Sequence, residues 1–171
     1  MIALILASFL AADTSGAVRA AERPRTTPAP SVADRVVVEK QAHRLTLYHG
    51  GRAIRTYYVA LGASPVGDKQ RAGDDRTPEG VYTIDSRVER SQFHLALHIS
   101  YPDAAHRARA AKRGESPGGD VMIHGLPPKF SFIGAAHRNM DWTAGCIAVT
   151  DEEIEEIWRA VPNGTKIEIR P

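Results

Sequence analysis

The chain has 171 residues, a single cysteine, and 22 Lys and Arg against 20 Asp and Glu, giving a formal charge of +2 at pH 7. That length holds one domain with a sizeable core plus a short extension. So slight a positive excess, with no basic stripe interleaved with aromatics, excludes nucleic acid as an expected partner.

The apolar run Met1–Ala12 is too short to make a stable membrane span. Val18-Arg19-Ala20 places small residues at the −3 and −1 positions, so a signal peptide is expected over 1–20 with cleavage after Ala20, although no Lys or Arg precedes the run. Export to the periplasm follows from that reading. Residues 21–33 are rich in Pro, Thr and Ala and read as a flexible leader; residues 34–171 form the domain. In an oxidising compartment structural cysteines pair, so an unpaired Cys146 points to a reactive thiol or an intermolecular bridge.

Arg35–Glu39, Arg44–Tyr48 and Ala53–Leu61 are β-rich runs separated by a turn at Lys40–His43 and by His49-Gly-Gly51, which predicts an antiparallel meander. Residues 62–80 carry four glycines and two prolines and read as a long functional loop. Val81–Asp85 and Phe93–Ser100 predict further strands. On a strand His94 and His98 lie about 13 Å apart, too far to share a metal. The Ala- and Arg-rich stretch 103–113 predicts a short helix, its basic run (Arg107, Arg109, Lys112, Arg113) a solvated face or a contact for an anionic polymer. Val121–Ile123 predicts a strand that delivers His124, and 126–142 a linking loop in which His137 is expected to be exposed. Thr150-Asp-Glu-Glu153 is a capping box opening a helix whose Ile154, Ile157, Trp158 and Val161 share one face. Thr165–Ile169 alternates as a closing strand.

Chemistry concentrates at His124-Gly125 and Thr143-Ala-Gly-Cys146. A cysteine nucleophile needs its thiol deprotonated, and a nearby imidazole is the usual means. Gly145 permits a sharp turn whose amides can face a developing oxyanion. The plainer alternative is a small buried thiol and a satisfied polar histidine.

These motifs resemble the signature of the L,D-transpeptidase (YkuD-type) family: a His-Gly followed by Ser/Thr-x-Gly-Cys, here from about Val36 to Ile169. Thr77-Pro-Glu-Gly80 resembles the family's Thr-Pro-x-Gly segment, and Ile99-Ser-Tyr-Pro102, Ser116-Pro-Gly-Gly119 and Trp142–Val149 are similar more specifically to the YafK-like subgroup. The resemblance implies a mainly β, sandwich-like catalytic domain with a few short helices, including the capped C-terminal one. It implies peptidoglycan stem peptides as substrate and no cofactor or metal. By family position Cys146 is the nucleophile, His124 the general base, and the Gly125 region orients the imidazole through a backbone carbonyl. Amides near Ala144, Gly145 and Cys146 form the oxyanion hole. Candidate substrate contacts are Thr143, Trp142, Tyr101, Arg76 and Lys69, the last two for stem-peptide carboxylates; Asp141 is a candidate influence on charge near the thiol.

An amine acceptor makes the enzyme a transpeptidase; water makes it an amidase. Ala148 stands where many transpeptidases have arginine, and Ala144 where others have histidine. Both substitutions fit the YafK-like subgroup, in which release of a wall-attached lipoprotein is known. A non-catalytic wall-binding module is the other class, and the His–Gly–Cys trio argues against it. A papain-like protease has its cysteine before its histidine, and a zinc site lacks further ligands.

Overall fold

The structure, a computed structural model, describes residues 32–171. The expected signal peptide, its cleavage site and the leader as far as Ser31 lie outside the described residues. Ala33, at the end of that leader, is already buried and donates its amide to the Ala160 carbonyl at 2.8 Å.

Strands β1 (Arg35–Glu39), β2 (Arg44–His49) and β3 (Arg52–Tyr58) form the expected meander. Val36 pairs with Leu47 and Val38 with Leu45, all four fully buried. β4 (Gly80–Ser91) is far longer than the expected 81–85. Its first four residues pair antiparallel with β8 (Lys166–Arg170), and its remainder pairs with β5 (His94–Ile99). β8 inserts between β4 and β1, parallel to β1, with Ile167 and Ile169 opposite Val36 and Val38. β6 (Met122–His124) and the two-residue β7 (Ile147–Ala148) complete the order β3-β2-β1-β8-β4-β5-β6-β7.

The sheet curls round one core to which both halves contribute: Val36, Leu45 and Ile167 from one, Leu97, Ile123 and Ile147 from the other. The backbone beyond β3, expected to be strand as far as Leu61, leaves β2 after Tyr58 and bridges β7 instead. Ala60 and Ala148 exchange amide–carbonyl bonds of 3.0 and 2.9 Å, and Thr143 is held by Leu61 and Ala63. The two edges of the sheet are thereby joined through one segment.

Helix α1 (Ala104–Lys112) is capped by Asp103, whose carboxylate accepts from the His106 amide. Helix α2 (Asp151–Ala160) carries the full capping box between Thr150 and Glu153, and buries Ile154, Ile157 and Ala160 against the sheet. Thr150→Ala removes an acceptor from the first turn, and chemical denaturation is expected to show a loss of about 1 kcal/mol. The 126–142 segment is not a plain loop. A 3₁₀ helix occupies Pro128–Asn139, kinked at Gly134, where φ is 50°. Its turns carry His137 inward to 7% exposure, which corrects the expectation of a solvent-facing histidine. Among the described residues no helix is long and apolar enough to cross a membrane.

Candidate active site

The site lies where β6 and β7 run side by side. Ile123 pairs with Ile147 and His124 with Ala148, in parallel, so Cys146 lies one residue before β7 and opposite Met122. Strand alternation then puts Cys146 and His124 on one face, on neighbouring strands about 4.8 Å apart and two residues out of step.

The turn that presents Cys146 is held from within by Thr143. Its buried hydroxyl donates to the Cys146 carbonyl at 2.8 Å and accepts from the Gly145 amide at 3.1 Å. Gly145 has φ of 131°, and a Cβ there would stand 2.6 Å from the Arg76 carbonyl oxygen, so only glycine fits. One expectation needs correction. The Gly145 amide is committed to Thr143 Oγ1 and is not free for an oxyanion. Thr143, expected at the substrate, has its hydroxyl engaged on both sides and shapes the turn. The Ala144 and Cys146 amides carry no acceptor among the described residues.

His124 is 1% exposed and packed between aromatics: Phe93 stacks on it at 4.3 Å and Trp142 meets it edge-on at 5.8 Å. Its Nδ1 lies 2.7 Å from the Gly125 carbonyl oxygen. A carbonyl only accepts, so Nδ1 carries the proton and Nε2 keeps its lone pair. The peptide after Gly125 is fixed in turn by α2, where Asp151 Oδ1 accepts from the Leu126 amide at 2.7 Å. A Cβ on Gly125 would meet that same oxygen at 2.6 Å.

Burial pushes His124 down to about 4, against the opposing effect of the Gly125 hydrogen bond and with a smaller push from His137. Burial raises the Cys146 thiol, opposed by the Met122 amide and the Lys69 ammonium. Burial thus favours the neutral thiol and the neutral imidazole over an ion pair. The thiol donates to the Asp120 carbonyl at 3.5 Å.

The other candidates are spread more widely. Lys69 is 3% exposed, and its Nζ donates to Asp74 at 2.7 Å beneath the nucleophile turn, so it is not a surface cation awaiting a carboxylate. Arg76 is half-buried, its guanidinium 3.4 Å from the Asp68 carbonyl. Tyr101 is a core residue and not a substrate wall: its hydroxyl donates to the Pro117 carbonyl at 2.8 Å and its ring packs on Tyr82 and His106. Trp142 touches the imidazole and borders an apolar cavity of about 370 Å³ under the 3₁₀ helix, with Leu126, Phe130 and Ile133. Asp141 braces the fold by accepting from the Leu61 amide and pairing with His43. His94 and His98 pair with separate carboxylates, Glu155 and Asp85. Phe93 and Asp151 also support the site, though in the sequence the first lies in a strand run with no motif and the second reads as ordinary helix-start chemistry.

The E. coli (strain K12) protein YafK, whose designation as an L,D-transpeptidase is itself provisional, is 27% identical over 174 residues, covering 94% of this chain. The chain spans 63% of that relative's length. The fold is similar to the helical cell shape determining protein Pgp2 from Campylobacter jejuni (TM-score 0.62, 22% identity, 82% of this chain and 50% of that one). It is also similar to an L,D-transpeptidase from Xylanimonas cellulosilytica (TM-score 0.52, 18% identity, 85% of this chain and 64% of that one). A match to the YkuD family, described as the L,D-transpeptidase catalytic domain, runs from residue 33 to 169, and by that match the chain belongs to this family of catalytic domains.

Proposed function

We propose that the protein is an exported cysteine acyltransferase of the bacterial cell wall that works on peptidoglycan stem peptides. The observation that carries this reading is the His124 tautomer: Nδ1 is tied to the Gly125 carbonyl, leaving Nε2 as a base on the face that bears Cys146. Nε2 takes the thiol proton as Sγ attacks the carbonyl of a stem-peptide amide. The Ala144 and Cys146 amides donate to the oxyanion. The C–N bond then breaks, the proton passes from the imidazole to the leaving amine, and a thioester is left on Cys146. An acceptor amine attacks that thioester to give a new amide and regenerate the thiol. Water in the acceptor's place gives a carboxylate. Ala148, where many family members have arginine, is fully buried in β7 and offers no cation to an acceptor carboxylate. That observation favours, as second reading, an amidase that frees wall-attached lipoprotein.

The test incubates wild type and Cys146→Ala with purified sacculi that carry or lack covalently bound lipoprotein, and follows products by mass spectrometry. New cross-links or exchange of a terminal D-amino acid, absent with Cys146→Ala, are expected for the transpeptidase. Cysteine-dependent release of lipoprotein would replace it with the amidase. Neither product, from a protein whose cysteine alkylates normally, would refute the wall substrate.

A further inference from the structure

Lys69 is an unexpected presence beneath the nucleophile. A lysine in a loop rich in Gly and Asp belongs in solvent, yet this one is almost wholly buried and its ammonium reaches the Thr143–Cys146 turn. Nζ lies 3.5 Å from the Ala144 carbonyl oxygen and 3.5 Å from where a Gly145 Cβ would stand.

Its counter-ion is held apart from the turn. Asp74 accepts from Lys69 at 2.7 Å and from the backbone amides of Gln70, Arg71 and Arg76 at 2.7, 3.1 and 3.2 Å, all within its own loop. Burial acts to raise the Asp74 carboxyl, but those four donors outweigh it and hold it well below the usual range. The carboxylate is thus fixed on the loop side, and the ammonium on the side of the turn. The charged or titratable groups around the thiol are Lys69 from the loop, Asp120 from the segment before β6, and His124 from β6.

We propose that Lys69 is a positioning residue for the acyl transfer, anchored by Asp74 so that its ammonium both fixes the Ala144–Gly145 turn and faces the negative charge that develops at Cys146. The assignment rests on the proposed acyl-transfer role, but its test does not need a wall substrate. Nζ meets the turn at Ala144 and Gly145, the two residues that lead into Cys146, and a buried cation so placed favours the thiolate over the thiol.

Iodoacetamide alkylation of the full chain is measured against pH for wild type, Lys69→Met and Lys69→Arg, with circular dichroism to establish folding. In Lys69→Met the rate at pH 7 is expected to fall about tenfold and the midpoint to move upward, while Lys69→Arg stays close to wild type. A merely structural lysine would leave the midpoint where it is. Because Lys69→Met strands a buried carboxylate, the wild-type protein gives the second measurement. The Lys69 side-chain resonances are expected to follow the thiol's titration, and to stop doing so in Cys146→Ala. An unchanged alkylation midpoint in folded Lys69→Met, or Lys69 resonances indifferent to the thiol, would overturn the assignment. Inactivity on sacculi alone would count only against the wall substrate.

Discussion

His124→Gln is expected to lower the rate at which Cys146 is acylated by an activated ester about 10²–10⁴-fold, the usual contribution of a positioned general base. The variant loses the only ring nitrogen that can accept the thiol proton, while the thiol and its turn stay in place. The wild-type pH profile follows from the same geometry. Since burial holds His124 down to about 4, the imidazole is a competent base throughout the neutral range, and the acid limb of acylation is expected near 4. A limb near 6.5, the value for a free imidazole, would show that the aromatic slot opens in solution. Stability follows the same sign. Between 6.5 and about 4 the unfolded chain binds a proton at His124 that the folded chain does not, so stability falls as pH is lowered through that window. A denaturant midpoint that rises on acidification there would contradict the buried, neutral state.

Gly145→Ala carries the other large effect. The new methyl would stand 2.6 Å from the Arg76 carbonyl oxygen, at a φ of 131° that an L side chain rarely adopts. The turn has to move, and with it the Thr143 clasp on the Cys146 carbonyl. The expected cost is about 1–3 kcal/mol of stability together with a loss of acylation that raising the substrate concentration does not recover. Gly50→Ala is the control, because φ there is also positive, at 55°, but nothing lies within 4 Å of the added methyl. Equal losses in the two variants would assign the effect to backbone strain alone, and not to the contact with Arg76.

The local elements were legible because their signals are local. The β1–β3 meander follows from alternating runs broken by turn residues. The capping box set the start of α2, and an apolar run before His124 set β6. β4 runs past its sequence signal because Ser86–Ser91 is charged and mostly exposed, a pattern that suits one face of a hairpin but looks like a turn. The 3₁₀ helix escaped because its glycine and prolines suggest a loop. The Cys–His pair was visible through its spacing and neighbours. Its support was not: whether Lys69 is buried, where the Gly145 amide points and what stacks on His124 all depend on residues brought together from distant segments. The buried places of Tyr101 and Thr143 are hidden for the same reason. An aromatic or a hydroxyl beside a catalytic motif looks available until its partner is known.

The position of β8 has a consequence for how the molecule comes into being. The latest strand in sequence occupies a central place in the sheet, with β1 on one side and β4 on the other. A chain emerging from the ribosome can zip its first three strands early, since those pairings are local. Within the sheet it pairs them with β4 only through β8, although the segment after β3 reaches β7 by its own bridges. Non-local pairing of this kind makes folding slow. The seam between the meander and the rest of the sheet therefore closes only when synthesis of the domain is essentially complete.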